Sequence, residues 1–326
     1  MAGGQERILR RRIKSIESTK KITRAMELIA ATRVVKAQDR ASAARPYAEE
    51  ITSVIVSLVK AGAAKDHPLL RHNPSAAKAC FVVVTSDRGL CGAYNTSVIR
   101  LAERELKEAQ AKGMDYSLVL AGKKAATYFR FRDYRIDATF EGVTDQPTYE
   151  QAREIARAFR KLYETGDLAT VDLVYTKFQS AGVQEAVSRR FLPLKVDGGV
   201  GGAEGPSADL EYEPSPTAIL NSILPRYVES RIFSALLDAS ASEHAARQRA
   251  MKSATDNAED LRIRLTRVMN RARQDSITTE IMEIVSGAEA LSADKGSKED
   301  LMPDNLVPAH LFAQHLAPTD HARSLH

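Results

Sequence analysis

The chain has 326 residues, of which 44% are hydrophobic and only 6% aromatic, with no Trp, and it carries a net charge of +5. That length admits two domains or one domain with a large appendage, and the aromatic shortage favours extended packing through Ala, Leu, Ile, Val and Met over one large compact core. Two cysteines, Cys80 and Cys91, exclude a disulfide framework and fit a reducing compartment. No apolar run approaches the roughly 20 residues that span a bilayer. The basic balance suits an acidic partner: nucleic acid, an anionic membrane surface or an acidic protein loop.

The Arg-rich start (Arg7, Arg10, Arg11, Arg12) imitates a transit peptide, but the helical pattern beginning at Arg7 runs on without a break, so it reads as mature protein. From residue 5 to 61 there is no Gly, and the single Pro is Pro46. Leu9, Ile13, Ile16, Ile22, Met26, Ile29 and Val34 follow spacings of three and four with one slip, the mark of a helix with one apolar stripe. Lys14, Lys20, Lys21, Arg24, Arg33 and Lys36 occupy the other faces. An unbroken helix over 1–61 extends roughly 80 Å, and Pro46 is expected to kink it or end a segment.

The middle, 75–196, reads as a small α/β domain. Residues 81–85, 117–120, 171–175 and 187–194 look like strands, the last an edge strand ending at Pro193. Residues 96–112 and 149–164 are helical by pattern, and the alternation implies a largely parallel sheet. A Gly-rich linker covers 197–214. Ser215 and Pro216 then make a good helix start, Ser as N-cap and Pro at the first position. Over 215–291, Leu261, Leu265, Val268, Ala272, Ile277, Ile281, Ile284, Ala288 and Leu291 outline a coiled-coil seam with a period near 3.5. A helix on the order of 100 Å long needs another helix to pack against, and the N-terminal one is available as an antiparallel partner. The fold class is therefore α/β plus a long antiparallel coiled coil of the two end helices. Residues 292–326 hold Pro303, Pro308, Pro318 and four His at spacings of five and six, and read as a disordered extension without a metal site.

Chemistry is sparse. The loop 86–92 (SDRGLCG) follows a strand, where α/β proteins bind ligands. It has neither a dinucleotide-binding nor a P-loop spacing, and it reads as a structural turn with an Asp87–Arg88 interaction rather than a catalytic loop. No Ser/His/Asp order, zinc spacing or carboxylate pair stands out, and neither a cofactor nor a metal is implied. A chain that gives nearly half its length to a rod works by mechanics or assembly. Nucleic-acid binding is disfavoured because aromatic residues do not interleave with the basic ones. A coiled-coil scaffold or basic nucleic-acid-binding rod, and a small α/β enzyme with helical arms, remain as rival readings at this point.

Three blocks carry a resemblance: 18–31 (STKKITRAMELIAA), the 86–92 loop with Asn95, and 250–258 (AMKSATDNA) with 270–280 (NRARQDSITTE) and 283–287 (EIVSG). The chain resembles the gamma subunits of F-type ATP synthases over residues 5–291. The resemblance implies a central rotor shaft, one copy per complex, seated in a hexamer of alternating alpha and beta subunits. Its foot, with the 199–212 region, rests on the c-subunit ring beside epsilon, at the cytoplasmic face of a bacterial plasma membrane. ATP forms on the beta subunits, so the chain itself holds no catalytic residue or cofactor. Met26 matches the position facing an acidic loop of each beta subunit, with Arg24, Arg33 and Lys36 nearby. Arg247, Gln274, Thr278 and Glu280 match polar contacts to the inner loops of the hexamer. Ile281, Ile284 and Val285 match its apolar upper sleeve, and Cys91 its lower mouth. The sequence departs from the family pattern at Pro225, expected to bend or delay the second shaft helix, and in the tail beyond Leu291. It also lacks the cysteine-pair insertion used for thiol control in chloroplast relatives.

Overall fold

The computed structural model describes residues 2–60, 67–71, 73, 76–194, 213 and 215–294. Two long helices, α1 (Ala2–Lys60) and α5 (Pro216–Asp294), frame the chain. Between them lie β1 (Lys78–Val84), α2 (Tyr94–Ala111), β2 (Asp115–Ala121), α3 (Lys123–Phe131), β3 (Ala138–Phe140), α4 (Tyr149–Glu164), β4 (Thr170–Phe178) and β5 (Gln184–Leu192). The chain forms two compact units, one of residues 11–265 and one of residues 1–10 with 266–326.

In the larger unit the sheet has the order β3-β2-β1-β4-β5, parallel throughout except for the antiparallel edge pair β4–β5. β1 is central because nearly every residue of its apolar run is buried, as a strand covered on both faces requires. Its alternation divides the core. Phe81 and Val83 face α2 and α3, packing with Val98, Leu106 and Phe129. Cys80, Val82 and Val84 face the other layer, which α4 builds with Ile155 and Phe159, α1 with Ile51, Ile55 and Leu58, and α5 with Leu224, Val228 and Ile232. The lower thirds of both long helices are thus part of the α/β core. α4 starts on a capping box, in which the Thr148 side chain accepts from the Gln151 N–H and the Gln151 side chain accepts from the Thr148 N–H.

Both prolines sit inside helices that continue through them, so Pro46 does not end a segment and Pro225 does not delay the second shaft helix. A mid-helix Pro costs about 3 kcal/mol. Around Pro225, buried Leu220, Leu224, Val228 and Ile232 hold the helix to the core, each worth roughly 1.5–3 kcal/mol, so packing outweighs the lost hydrogen bond. Pro46 and Ser42, whose carbonyl loses its helical donor there, are both exposed.

The helix seam also differs from the apolar stripe. On α1 the covered positions run Leu9, Ile13, Ile16, Lys20, Thr23, Glu27, Ala30, Val34 and Ala37, an alternation of four and three without the slip. Ile22 and Ile29 are more than half exposed. On α5 the covered series is Met251, Thr255, Ala258, Arg262, Leu265, Met269, Ala272 and Ser276, while Leu261, Val268 and Ile277 face outward. The Thr255 hydroxyl donates to the Thr23 hydroxyl at 2.8 Å, and Lys20 Nζ donates to Glu259 at 2.8 Å. As the α1 number rises the α5 number falls, so the two helices run antiparallel. Thr23, Ala30, Ala37, Thr255 and Ala258 allow close approach between the larger Ile13, Ile16, Val34 and Leu265, and the ionic groups satisfy one another at the margin. Hydrogen bonds from Arg262 and Lys20 hold the Glu259 carboxyl down to about 2.

In the smaller unit, Leu9 is buried, whereas Ile277, Ile281, Met282, Ile284, Val285 and Leu291 are all exposed. α5 continues to Asp294. The rest of the 292–326 extension, and all of the 197–214 linker except Glu213, lie outside the described residues.

Candidate functional site

The loop 86–92 is a structural turn, but its charged residues do not pair with each other. Asp87 accepts hydrogen bonds from the N–H of Lys123 (3.1 Å), the N–H of Gly142 (3.0 Å) and the Thr144 hydroxyl (3.0 Å). It thereby joins the start of α3 to the loop after β3. Asn95 accepts from the Ser86 N–H at 2.9 Å, and its amide donates to the Ser86 hydroxyl and to Cys91 Sγ. Leu90, at φ 63°, is pushed outward and stays 62% exposed. Cys91 is buried, and burial raises its thiol pKa, so it is no nucleophile.

Around this turn, four segments converge. Arg247 of α5 donates to Glu243 at 2.7 Å and to the carbonyls of Arg88 and Gly89 at 3.5 and 3.4 Å. Asp145, in the loop before α4, accepts from Arg33 of α1, one bond measuring 2.6 Å, and lies 3.7 Å from Arg88. His244 Nε2 is 3.3 Å from the Asp145 carbonyl, and burial lowers its pKa, leaving the ring neutral. Burial likewise raises the carboxyl of Glu243, against the pull of Arg247. Asp145, Glu243 and His244 bring ligand-type atoms within 4.8 Å of one another. The guanidinium groups of Arg33 and Arg247 already engage the carboxylates, so the cluster is an ion-pair node and not a cation pocket.

Beside the node is a notch of about 340 Å³ lined by Met26, Ile29, Ala30, Leu90 and both Arg33 and Arg247. The structure thus gathers Met26, Arg33, the 86–92 loop and Arg247 in one place. Arg24 lies a turn away, paired with Glu27 at 2.9 Å, and Lys36 is exposed at the far side of Arg33. Gln274, Thr278 and Glu280 are exposed on α5 in the smaller unit, where the Thr278 hydroxyl donates to the Gln274 carbonyl and that of Ser276 to Glu280. Ile281, Ile284 and Val285 are 55%, 72% and 49% exposed. Asp145 and His244 did not stand out in the sequence. A single acid in a short loop carries no spacing signal, and only the packing of four segments makes it a hub.

The ATP synthase family model matches residues 5–291. An ATP synthase gamma chain from Frankia casuarinae is 50% identical over 297 residues, covering 89% of this chain and 99% of the relative. One from Mycolicibacterium smegmatis is 47% identical over 304 residues, covering 89% and 98%. Among solved structures, a chain of the Euglena gracilis mitochondrial ATP synthase (OSCP/F1/c-ring) superposes with a TM-score of 0.64 at 18% identity, covering 92% of this chain and 99% of that one. A chain of the Tetrahymena thermophila mitochondrial ATP synthase central stalk and c-ring gives 0.55 at 23% identity, covering 72% and 99%. No helix among the described residues is long and apolar enough to cross a membrane. With the paired end helices, the five-stranded domain and 47–50% of aligned residues identical to relatives along almost their full length, the chain belongs to the ATP synthase gamma chain family.

Proposed function

We propose that this chain is the central rotary shaft of a proton-translocating ATP synthase, coupling rotation of the c-subunit ring to conformational change in the catalytic beta subunits. The observation that supports it best is the apolar series that the two long helices leave exposed beyond the residues that fill their seam. Ile22, Leu28, Ile29 and Val35 on α1, and Ile277, Ile281, Ile284 and Val285 on α5, are each about half or more exposed. A helix pair that already fills its seam with Leu, Ile, Val, Met, Ala and Thr, and still exposes further Ile, Leu and Val, is built to run inside a sleeve supplied by partners.

The mechanism follows from differential contact. A shaft changes a partner's state only by binding its alternative states with different free energies. Moving a site from 1:99 to 99:1 takes about 5.5 kcal/mol. Burying one Ile or Val side chain supplies roughly 1.5–3 kcal/mol, so three or four side chains that meet one beta state and not the next suffice. In this reading Met26, with Arg24, Arg33 and Lys36 nearby, faces an acidic loop of each beta subunit, and Cys91 lies near the lower mouth of the alpha–beta hexamer. Arg247, Gln274, Thr278 and Glu280 meet its inner loops, and Ile281, Ile284 and Val285 its upper sleeve. Arg247 acts there through the node, because its guanidinium is turned inward and fixes the 86–92 turn. The foot contacts epsilon and the c-ring, one copy serves each complex, and the assembly sits peripherally on the cytoplasmic face of the membrane. Nucleotide chemistry resides in the partners.

Reconstituting the hexamer and membrane sector with and without this chain tests the proposal. ATP-driven proton pumping into vesicles is expected only when the chain is present, whereas equal pumping without it would refute the shaft role.

A further inference from the structure

We infer that Asp145 is a clasp that keys α1 to the α/β domain, so that torque reaching the domain turns both long helices as one body; this rests on the rotary reading above. Among the described residues, every hydrogen bond between α1 and the α/β domain comes from Arg33 or Arg40. Arg33 grips both oxygens of the Asp145 carboxylate, and Arg40 donates to the carbonyl of Pro147 two residues on. The same short loop holds α5 from its other side, where the Ser240 hydroxyl donates to the Asp145 carbonyl at 3.1 Å and His244 approaches both that carbonyl and the carboxylate, at 3.3 and 3.5 Å. A third link comes from Arg88, 3.7 Å from the carboxylate. The loop is itself anchored to the body of the domain through Asp87, which accepts from Thr144 and Gly142.

The position matters as much as the number of bonds. Nearer the C-terminus of α1, Ile51, Ile55 and Leu58 join the domain through the apolar core. Toward the N-terminus, the side-chain bonds that Thr23 and Lys20 make to other elements go to α5. Asp145 therefore stands where α1 leaves the domain and becomes half of a two-helix shaft. An apolar contact resists separation but is non-directional. One guanidinium nitrogen held against both carboxylate oxygens is a charge-assisted contact with a preferred direction, and direction is what a turning load disturbs. Asp145 is a positioning residue, acting through Arg33 and the helices and not on any reacting group.

The test uses complete complexes reconstituted in vesicles, with ATP hydrolysis and proton uptake followed together and slip defined as hydrolysis without uptake. Asp145→Asn keeps the size and the backbone contacts but removes the charge. Loss of about 1 kcal/mol from a partly buried pair raises the unclasped population, and with it slip, by about fivefold. Asp145→Glu is expected to recover at least half of the lost coupling, which a purely steric role would not give. Arg40→Ala, at an exposed site, is expected to increase slip in the same direction and decides the matter if the Asp145 variants fail to assemble. Slip equal to the native value in Asp145→Asn, or in Arg40→Ala where that variant decides, would overturn the clasp and leave the shaft role standing. Native complexes that pump equally well without this chain would instead overturn the shaft role.

Discussion

Gly122→Ala is expected to displace the start of α3 and, through it, the 86–92 turn. Gly122 closes β2 with φ +104°, and a Cβ built on it would lie 2.2 Å from the Thr85 carbonyl oxygen, 2.7 Å from its carbon and 2.9 Å from its hydroxyl. Backbone atoms cannot rotate aside, so one strand end must move by about an ångström. That segment has little freedom: the Thr85 N–H donates to the Ala121 carbonyl at 2.8 Å, the Gly122 N–H to the Phe140 carbonyl at 2.8 Å, and the Thr85 hydroxyl accepts from the Ala125 N–H at 3.0 Å. An L-residue forced into such a conformation costs on the order of 1–3 kcal/mol, and overpacking adds about 1–3 kcal/mol. The sum is a large fraction of the roughly 5–15 kcal/mol that stabilises a domain. Gly142→Ala is the control, since its φ of +73° is also left-handed but nothing lies within 4 Å of the added carbon. Thermal unfolding of purified complexes should fall by several degrees more for Gly122→Ala than for Gly142→Ala, with less of the former chain recovered in assembled complexes. Equal midpoints for the two would refute the collision and leave only backbone strain.

Neither cysteine is expected to react with a maleimide in the native complex, whereas two should react after denaturation. Cys80 and Cys91 are buried, and burial pushes the Cys80 thiol up to about 12 and raises that of Cys91, so little thiolate exists at neutral pH. Asp238→Asn is expected to stabilise the protein at pH 7–8 and to lose that advantage near pH 4. Burial raises the Asp238 carboxyl from 3.8 to about 6 despite Lys177, Arg189, Arg45 and Arg231 around it. The folded state therefore holds a proton that the unfolded state releases, and stability declines as pH rises through that interval. The Asn variant escapes a penalty on the order of 3 kcal/mol at pH 8, and thermal midpoints of the two proteins across pH 4–8 check it.

Much of the architecture was legible because its signals are local. Long stretches without Gly announced both end helices, α4 was read to its exact bounds, and the apolar runs of β1, β2 and β4 marked the sheet. Short α3 and β3 went unread, since nine and three residues carry too little periodicity. The helix seam was legible in part: Leu9, Ile13, Ile16, Val34, Leu265 and Ala272 are covered as their spacing implies, while other members of the stripe are not, for a physical reason. An apolar stripe reports that a face is covered, not by what, and Ile22, Ile29, Leu261 and Val268 are exposed in the isolated chain, while Thr23, Ala30, Thr255 and Ala258 form the contact between helices. The expected partner surfaces at Met26 and Arg247 fall together at one node, but Asp145, which ties that node, was invisible because its importance arises only from long-range packing.

Rotation of the chain itself is the most direct measurement. A cysteine introduced at exposed Lys112, on the outer end of α2, offers a selective attachment for a gold bead, because the native thiols are buried. With the hexamer fixed to a surface and ATP supplied, the bead is expected to turn in one direction in discrete steps, at a rate that tracks hydrolysis. A bead that stays still, or wanders without direction, while the same complexes hydrolyse ATP at full rate would contradict the shaft role outright.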